Sequence, residues 1–231
     1  MSTLAASVWP ELPERPLLVV PLGSVEQHGP HLPLATDTRQ AEAVAGAALP
    51  GIDGALLAPA IPYGASGEHE GFPGTVSIGT EALTTLLVEY GRSACRWAGR
   101  LLVVNGHGGN LAALRVGVPL LRAEGRDVAW WPCAVPGGDA HAGRVETSLM
   151  LHVEPAAVRE ERAERGETAP LRELLPRMQA EGVRAVSPNG VLGDPAGASA
   201  AEGAELVADL AGRLVAAVRG WRVDPAGRLV E

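Results

Sequence analysis

Apolar positions in this chain fall into short unbroken runs, separated by longer stretches with helical spacing. Leu17-Leu18-Val19-Val20, residues 55–58, Leu101-Leu102-Val103-Val104 and Val128–Pro132 are the runs. Four or five residues without a polar interruption predict strands buried on both faces, as in a parallel sheet. Between them, Leu83, Leu86, Leu87 and Tyr90 recur at helical intervals and predict a helix from a Thr80 cap to about residue 98. Helices are also predicted over residues 38–49, with Thr36 or Asp37 near the start, and over 110–124 and 198–221. Shorter ones are predicted at 146–152, 156–165 and 170–179. Residues 63–74 and 137–143 read as loops, 75–78 as a short strand and 183–195 as irregular. This alternation predicts a three-layer α/β/α fold around a mostly parallel central sheet. No linker composition or internal repeat divides the chain, so residues 1–231 are expected to form a single domain.

The charge balance narrows the partners. Against 27 acidic residues stand 19 basic ones, a net −8, which disfavours nucleic acid or an anionic membrane. Every basic residue is arginine. The absence of lysine removes Walker-type ATP binding, pyridoxal phosphate Schiff bases and lysine aldolase chemistry. Cys95 and Cys133 have no metal-type spacing and form no framework, which fits a reducing compartment. Residues 1–16 hold acids and three prolines instead of a signal-peptide core. No apolar run approaches the roughly 18 residues of a membrane span. A cytoplasmic protein is expected, with no nucleic-acid or membrane partner.

Chemistry concentrates after two of the strand runs. The first opens into Gly23-Ser24-Val25-Glu26-Gln27-His28-Gly29-Pro30-His31-Leu32-Pro33-Leu34-Ala35-Thr36-Asp37. In extended chain, residues i and i+2 share a face about 6–7 Å apart, so Glu26 and His28 can flank a pair of metal ions, with Asp37 returning to bridge them. The second opens into Asn105-Gly106-His107-Gly108-Gly109-Asn110 and offers another imidazole. Ligands at the carboxyl ends of parallel strands are the expected place for a site in an open α/β sheet. A third segment, Asp139-Ala140-His141-Ala142-Gly143-Arg144-Val145-Glu146-Thr147-Ser148, supplies Glu146 at the start of a helix, where a carboxylate also suits the helix dipole. His141 lies on the preceding Gly-rich loop, suited to a mobile proton shuttle or simply to solvation. The Glu68-His69-Glu70 triplet is expected to be solvated, at most backing the ligands of a site or touching its substrate, and the His-Glu-x-x-His zinc pattern is absent. His31 and His152 lack ligand-type neighbours, Trp130-Trp131 are expected to pack the sheet, and no Gly-x-Ser-x-Gly elbow exists.

Taken together, these segments resemble the creatininase (creatinine amidohydrolase) family. Its Gly-Ser-x-Glu-Gln-His-Gly-Pro-His-Leu-Pro signature followed by Thr-Asp stands at residues 23–33 and 36–37. Its Asn-Gly-His motif stands at 105–107 and its His-Ala-x-x-x-Glu-Thr-Ser motif at 141–148. Residues 63–69, 75–89, 105–110 and 190–195 are most similar to the branch associated with mycofactocin maturation, whose peptidase removes a C-terminal Val-Tyr dipeptide from a modified precursor peptide. The resemblance implies a creatininase-like fold, a homohexamer and two divalent ions per subunit, Zn2+, Fe2+ or Mn2+. Glu26 and His107 would hold one ion, His28 the other, with Asp37 bridging; a metal-bridged hydroxide would attack the scissile carbonyl and His141 would protonate the leaving amine. Creatininase takes a glutamate ligand two residues after the Asn-Gly-His histidine. Gly109 stands there in this chain, and Glu146 is the replacement. Gly137 replaces a lid tryptophan, which argues against creatinine as substrate. The same residues would also serve a small cyclic amide or formamide hydrolase, or a non-catalytic metal-dependent peptide-binding protein.

Overall fold

A computed structural model describes residues 3–230. The four apolar runs form one sheet. β1 (Leu17–Leu22), β2 (Ala55–Leu57), β3 (Arg100–Asn105) and β4 (Val128–Pro132) lie in the order β2-β1-β3-β4, all parallel. Leu17 of β1 pairs with Arg100 of β3 and Leu22 with Asn105, so both strands end level with one another. That shared edge is where the ligand-bearing loops begin.

Period-2 alternation divides the strand side chains between two helical layers. Leu18, Val20, Leu101 and Val103 point to one face, against Leu83 and Leu87 of α2 (Gly79–Ala94) and Leu114, Val118 and Leu121 of α3 (Leu111–Ala123). Val19, Leu102, Val104 and Trp131 point to the other. There they meet Val44 and Ala45 of α1 (Thr36–Ala48) and Leu210, Leu214 and Val218 of α7 (Ala200–Gly220). The expected three-layer α/β/α architecture is the observed one, and both tryptophans pack the sheet. α4 (Arg144–Val153) lies against α7, which starts at a Ser199 side-chain cap accepting the Glu202 amide. α5 (Leu171–Glu181) and the single turn α6 (Val183–Val186) form a small cluster of their own around Met178, Val183 and Leu192.

Three expectations are corrected, and one element is new. Residues 156–165 hold only 3-10 turns at Pro155–Ala157 and Glu160–Arg162; a segment charged on every side has no apolar stripe to bury as a helix. Instead Val158 is buried and the Arg159 amide donates to the His31 carbonyl. Residues 75–78 make a single bridge, Val25–Val76, between the positive-φ glycines Gly74 and Gly79, so no strand extends. α2 starts at Gly79, with Ile78 in the cap position and no Thr80 cap. The chain also closes on an unexpected hairpin, β5 (Arg222–Val223) and β6 (Leu229–Val230), whose turn bonds the Gly227 amide to the Asp224 carbonyl. Gly227 sits at φ +80°, where a side chain is strained.

Candidate metal centre

Loops leaving β1 and β3 converge above the shared strand ends. After β1 the chain stays extended, and Glu26 and His28 both turn inward with no exposed surface. Asp37 enters from the first turn of α1, also buried. After β3, the Asn105 side chain donates to the His107 carbonyl at 2.6 Å and fixes the turn. Asn110 staples three segments, donating to the Gly23 carbonyl and to Asn105 Oδ1 and accepting from the Ala65 amide. Glu146 sits in the first turn of α4, where Oε2 accepts the Ala142 amide at 2.6 Å. His141 precedes it.

The imidazole orientations follow from their backbone partners. His28 Nδ1 lies 3.1 Å from the Glu26 carbonyl and donates to it, which leaves Nε2 facing Asp37 Oδ1 at 3.2 Å and Glu146 Oε2 at 3.8 Å. His141 Nε2 lies 2.8 Å from the Gln27 carbonyl, which leaves Nδ1 facing Glu26 Oε1 at 3.8 Å. His107 places Nε2 3.1 Å from both the Ala65 carbonyl and Glu26 Oε2, with Nδ1 3.5 Å from Asp37 Oδ2. Among the described residues, three triplets bring donor atoms within 4.8 Å of one another: Glu26–His28–Asp37, His28–His141–Glu146 and Glu26–His69–His141. His107 borders the first triplet and belongs to none of them.

His69 is the residue the sequence reading undervalued. It is 4% exposed, not solvated, and its Nε2 lies 3.3 Å from Glu26 Oε1. Gln27 ties it in, since the amide nitrogen lies 2.9 Å from His69 Nδ1 and 3.1 Å from His141 Nε2. No local signal marks this contact, because Gln27 stands 42 residues before His69. His141 departs from its expected mobility. A bridge to Leu192 holds it through both backbone directions, and it is 7% exposed. His31 is buried on Thr147 at 2.9 Å, and His152 is exposed.

The electrostatics suit a cation. Both Glu26 oxygens and Asp37 Oδ2 are buried without a hydrogen-bond partner, a costly arrangement unless positive charge joins them. Burial, then the Asp37 carboxylate, lift the Glu26 pKa to about 7. Burial would strip His28 of its proton, but Asp37, with Glu146 and Glu26, overrides it and raises His28 to about 10. Burial and the neighbouring imidazoles hold His69 near 3 and push His141 well down, so both are neutral. The protein thus collects acidic oxygens beside the neutral His69 and His141, with His28 holding a proton that an incoming cation would displace. Mixed carboxylate and imidazole donors of this kind fit Zn, Mn or Fe.

A family profile described as creatinine amidohydrolase, Creatininase, matches residues 5–218. The chain belongs to the creatininase family. At that level it is a hydrolase of amide or peptide bonds. Similar proteins include two named mycofactocin precursor peptide peptidase. One, from Mycobacterium tuberculosis (strain ATCC 25618 / H37Rv), is 58% identical over 93% of this chain and 89% of its own length. The other, from Mycolicibacterium smegmatis, is 56% identical over the same shares. Creatinine amidohydrolase of Pseudomonas putida is 31% identical over 62% of this chain and 66% of its own. Among solved structures, one described as creatininase Mn superposes with a TM-score of 0.77 at 26% identity, covering 96% of this chain and 99% of its own. A mutant creatininase of Zn–Zn type gives 0.79 at 25%, covering 96% and 98%. Among the described residues no helix is long and apolar enough to cross a membrane.

Proposed function

We propose that this creatininase-family chain is a metal-dependent peptidase that removes the C-terminal Val-Tyr dipeptide from a mycofactocin precursor peptide. One observation carries the reading. Relatives at 52–58% identity, matched over 89–95% of their length, bear that peptidase name, whereas the creatinine amidohydrolase relative stands at 31% over part of the chain. The cavity above the cluster supports it. At about 1400 Å³, it has room for a peptide end.

In this reading residues 1–231 work as one domain, in the cytoplasm and as a homohexamer, with up to two divalent ions. Glu26, Asp37 and His107 would hold one ion, and His28, Asp37 and Glu146 the other. When bound, such ions supply Lewis-acid polarisation of the scissile carbonyl and lower the pKa of water. The residues do the rest. Asp37 orients His28, and Gln27 orients both His69 and His141. His141, neutral and fixed through its Nε2 proton to the Gln27 carbonyl, offers Nδ1 to collect a proton and pass it to the leaving amine. Burial of Glu26 and His28 keeps bulk water from competing for these positions.

The test is direct. Metal-loaded protein given a precursor peptide ending in Val-Tyr should release that dipeptide, and should leave creatinine untouched. Turnover of creatinine without dipeptide release would overturn the assignment.

A further inference from the structure

The wall of the large cavity carries one feature that the reaction at the cluster does not use. Arg115 lines it from α3, is exposed, and makes no hydrogen bond or ion pair among the described residues. The cavity's other arginine is engaged. Arg184 Nη1 donates to the Gly71 carbonyl at 2.9 Å, and its guanidinium lies 5.7 Å over the Phe72 ring. The acids of the outer wall are engaged too: Glu181 pairs with Arg177 at 3.2 Å and Asp194 faces Arg165 at 3.9 Å. A free guanidinium is thus left on the wall of a cavity that the carboxylates of Asp37 and Glu146 also line.

We infer that Arg115 receives the C-terminal carboxylate of the peptide substrate and so makes the enzyme a dipeptide-releasing exopeptidase. This rests on the peptidase reading above and adds to it the residue that reads the chain end. Distance supports it. α3 leaves the cluster directly, since the turn Gly108–Asn110 follows His107 and runs into Leu111. Arg115 lies one turn beyond Leu111, so its backbone stands about 12 Å on from His107, about 6 Å through the 3-10 turn at about 2 Å per residue and about 6 Å along α3 at about 1.5 Å per residue. Two extended residues span at most about 7 Å. A two-residue leaving group whose scissile carbonyl lies over the cluster covers about 7 Å of that span, and the long Arg115 side chain, tilted toward the N-terminal end of α3 as helix side chains are, covers the rest. A planar guanidinium matches a carboxylate with two parallel hydrogen bonds. The flanking wall suits what such a dipeptide carries: Leu171 and Leu175 of α5, each 40% exposed, present apolar surface to the same cavity beside Leu111.

The experiment compares one precursor C-terminal peptide as free acid and as C-terminal amide, on the metal-loaded protein. The parent should prefer the acid by about 10- to 100-fold in kcat/KM, the range of a charge-assisted pair. Arg115→Gln should abolish that preference through KM for the acid rather than kcat, with metal content unchanged, and Arg115→Lys should restore part of it. An intact preference in Arg115→Gln overturns the inference. So does a preference erased by Arg184→Gln but not by Arg115→Gln, or a parent that cleaves acid and amide equally. A parent that cleaves neither peptide overturns the peptidase reading itself, and the inference with it.

Discussion

Replacing Glu26 by Gln separates what the acidic cradle does for a metal from what it costs the fold. Both Glu26 oxygens are buried without a hydrogen-bond partner, and burial followed by Asp37 raises the pKa from 4.5 to about 7. A carboxyl that holds its proton more tightly when folded favours the fold fully below pH 4.5. That contribution is lost as the pH rises through about 7, and stays lost above it. At about 1.4 kcal/mol per pH unit, the loss is on the order of 3 kcal/mol by about pH 8. Gln keeps the shape and carries no charge. Metal-free Glu26→Gln should therefore be more stable than its metal-free parent near pH 8, by at most roughly 3 kcal/mol, with the advantage shrinking toward acid. Adding Zn or Mn should reverse the order. The parent gains about 4 kcal/mol at a thousandfold excess over Kd, whereas the variant has lost a charged donor. Urea unfolding at acid and alkaline pH, with chelator and with metal, yields four stabilities for each of the two proteins. A metal-free variant as destabilised near pH 8 as the metal-supplied one would mean that Glu26 holds the fold through His69 and His107 rather than waiting for a cation.

Two further variants probe the same floor. A Cβ on Gly109 would meet the Ala65 carbonyl, His107 Nε2 and Glu68 Oε1, so Gly109→Ala should displace His107 and lower metal content measured by elemental analysis; full metal occupancy would mean the loop yields instead. His141→Ala should keep its metal while turnover falls about 10²–10⁴-fold, the range for a positioned proton donor. Loss of an ion from that variant would make His141 a ligand.

The sheet could be read from sequence because fully buried parallel strands leave unbroken apolar runs, and β1, β3 and β4 have them. The segments of the candidate site were legible for a related reason: ligand-type residues follow those runs within a few positions. What escaped depends on distant partners. His69 looked like part of a charged triplet because nothing local says that Gln27, 42 residues earlier, will hold it against Glu26. His141 looked free because its anchor is Leu192, far along the chain. Residues 156–165 show the opposite error, where good local helix composition lost to the pairing of Arg159 with the His31 carbonyl.

The staples across the site also set a timetable. Asn110 joins segments that begin 87 residues apart, and the Gln27 amide reaches the Gly190 carbonyl across 163. Contacts of that span form only after the intervening chain has been gathered in, at the entropic expense of closing long loops. An ion seated among them is expected to act as a clasp fastened late, in which case unfolding rates measured with and without chelator should carry its whole effect and folding rates almost none. Interactions made that late scarcely alter the speed of folding and act on the speed of unfolding. The grip of a metal on this protein is thus written in how long a folded molecule lasts.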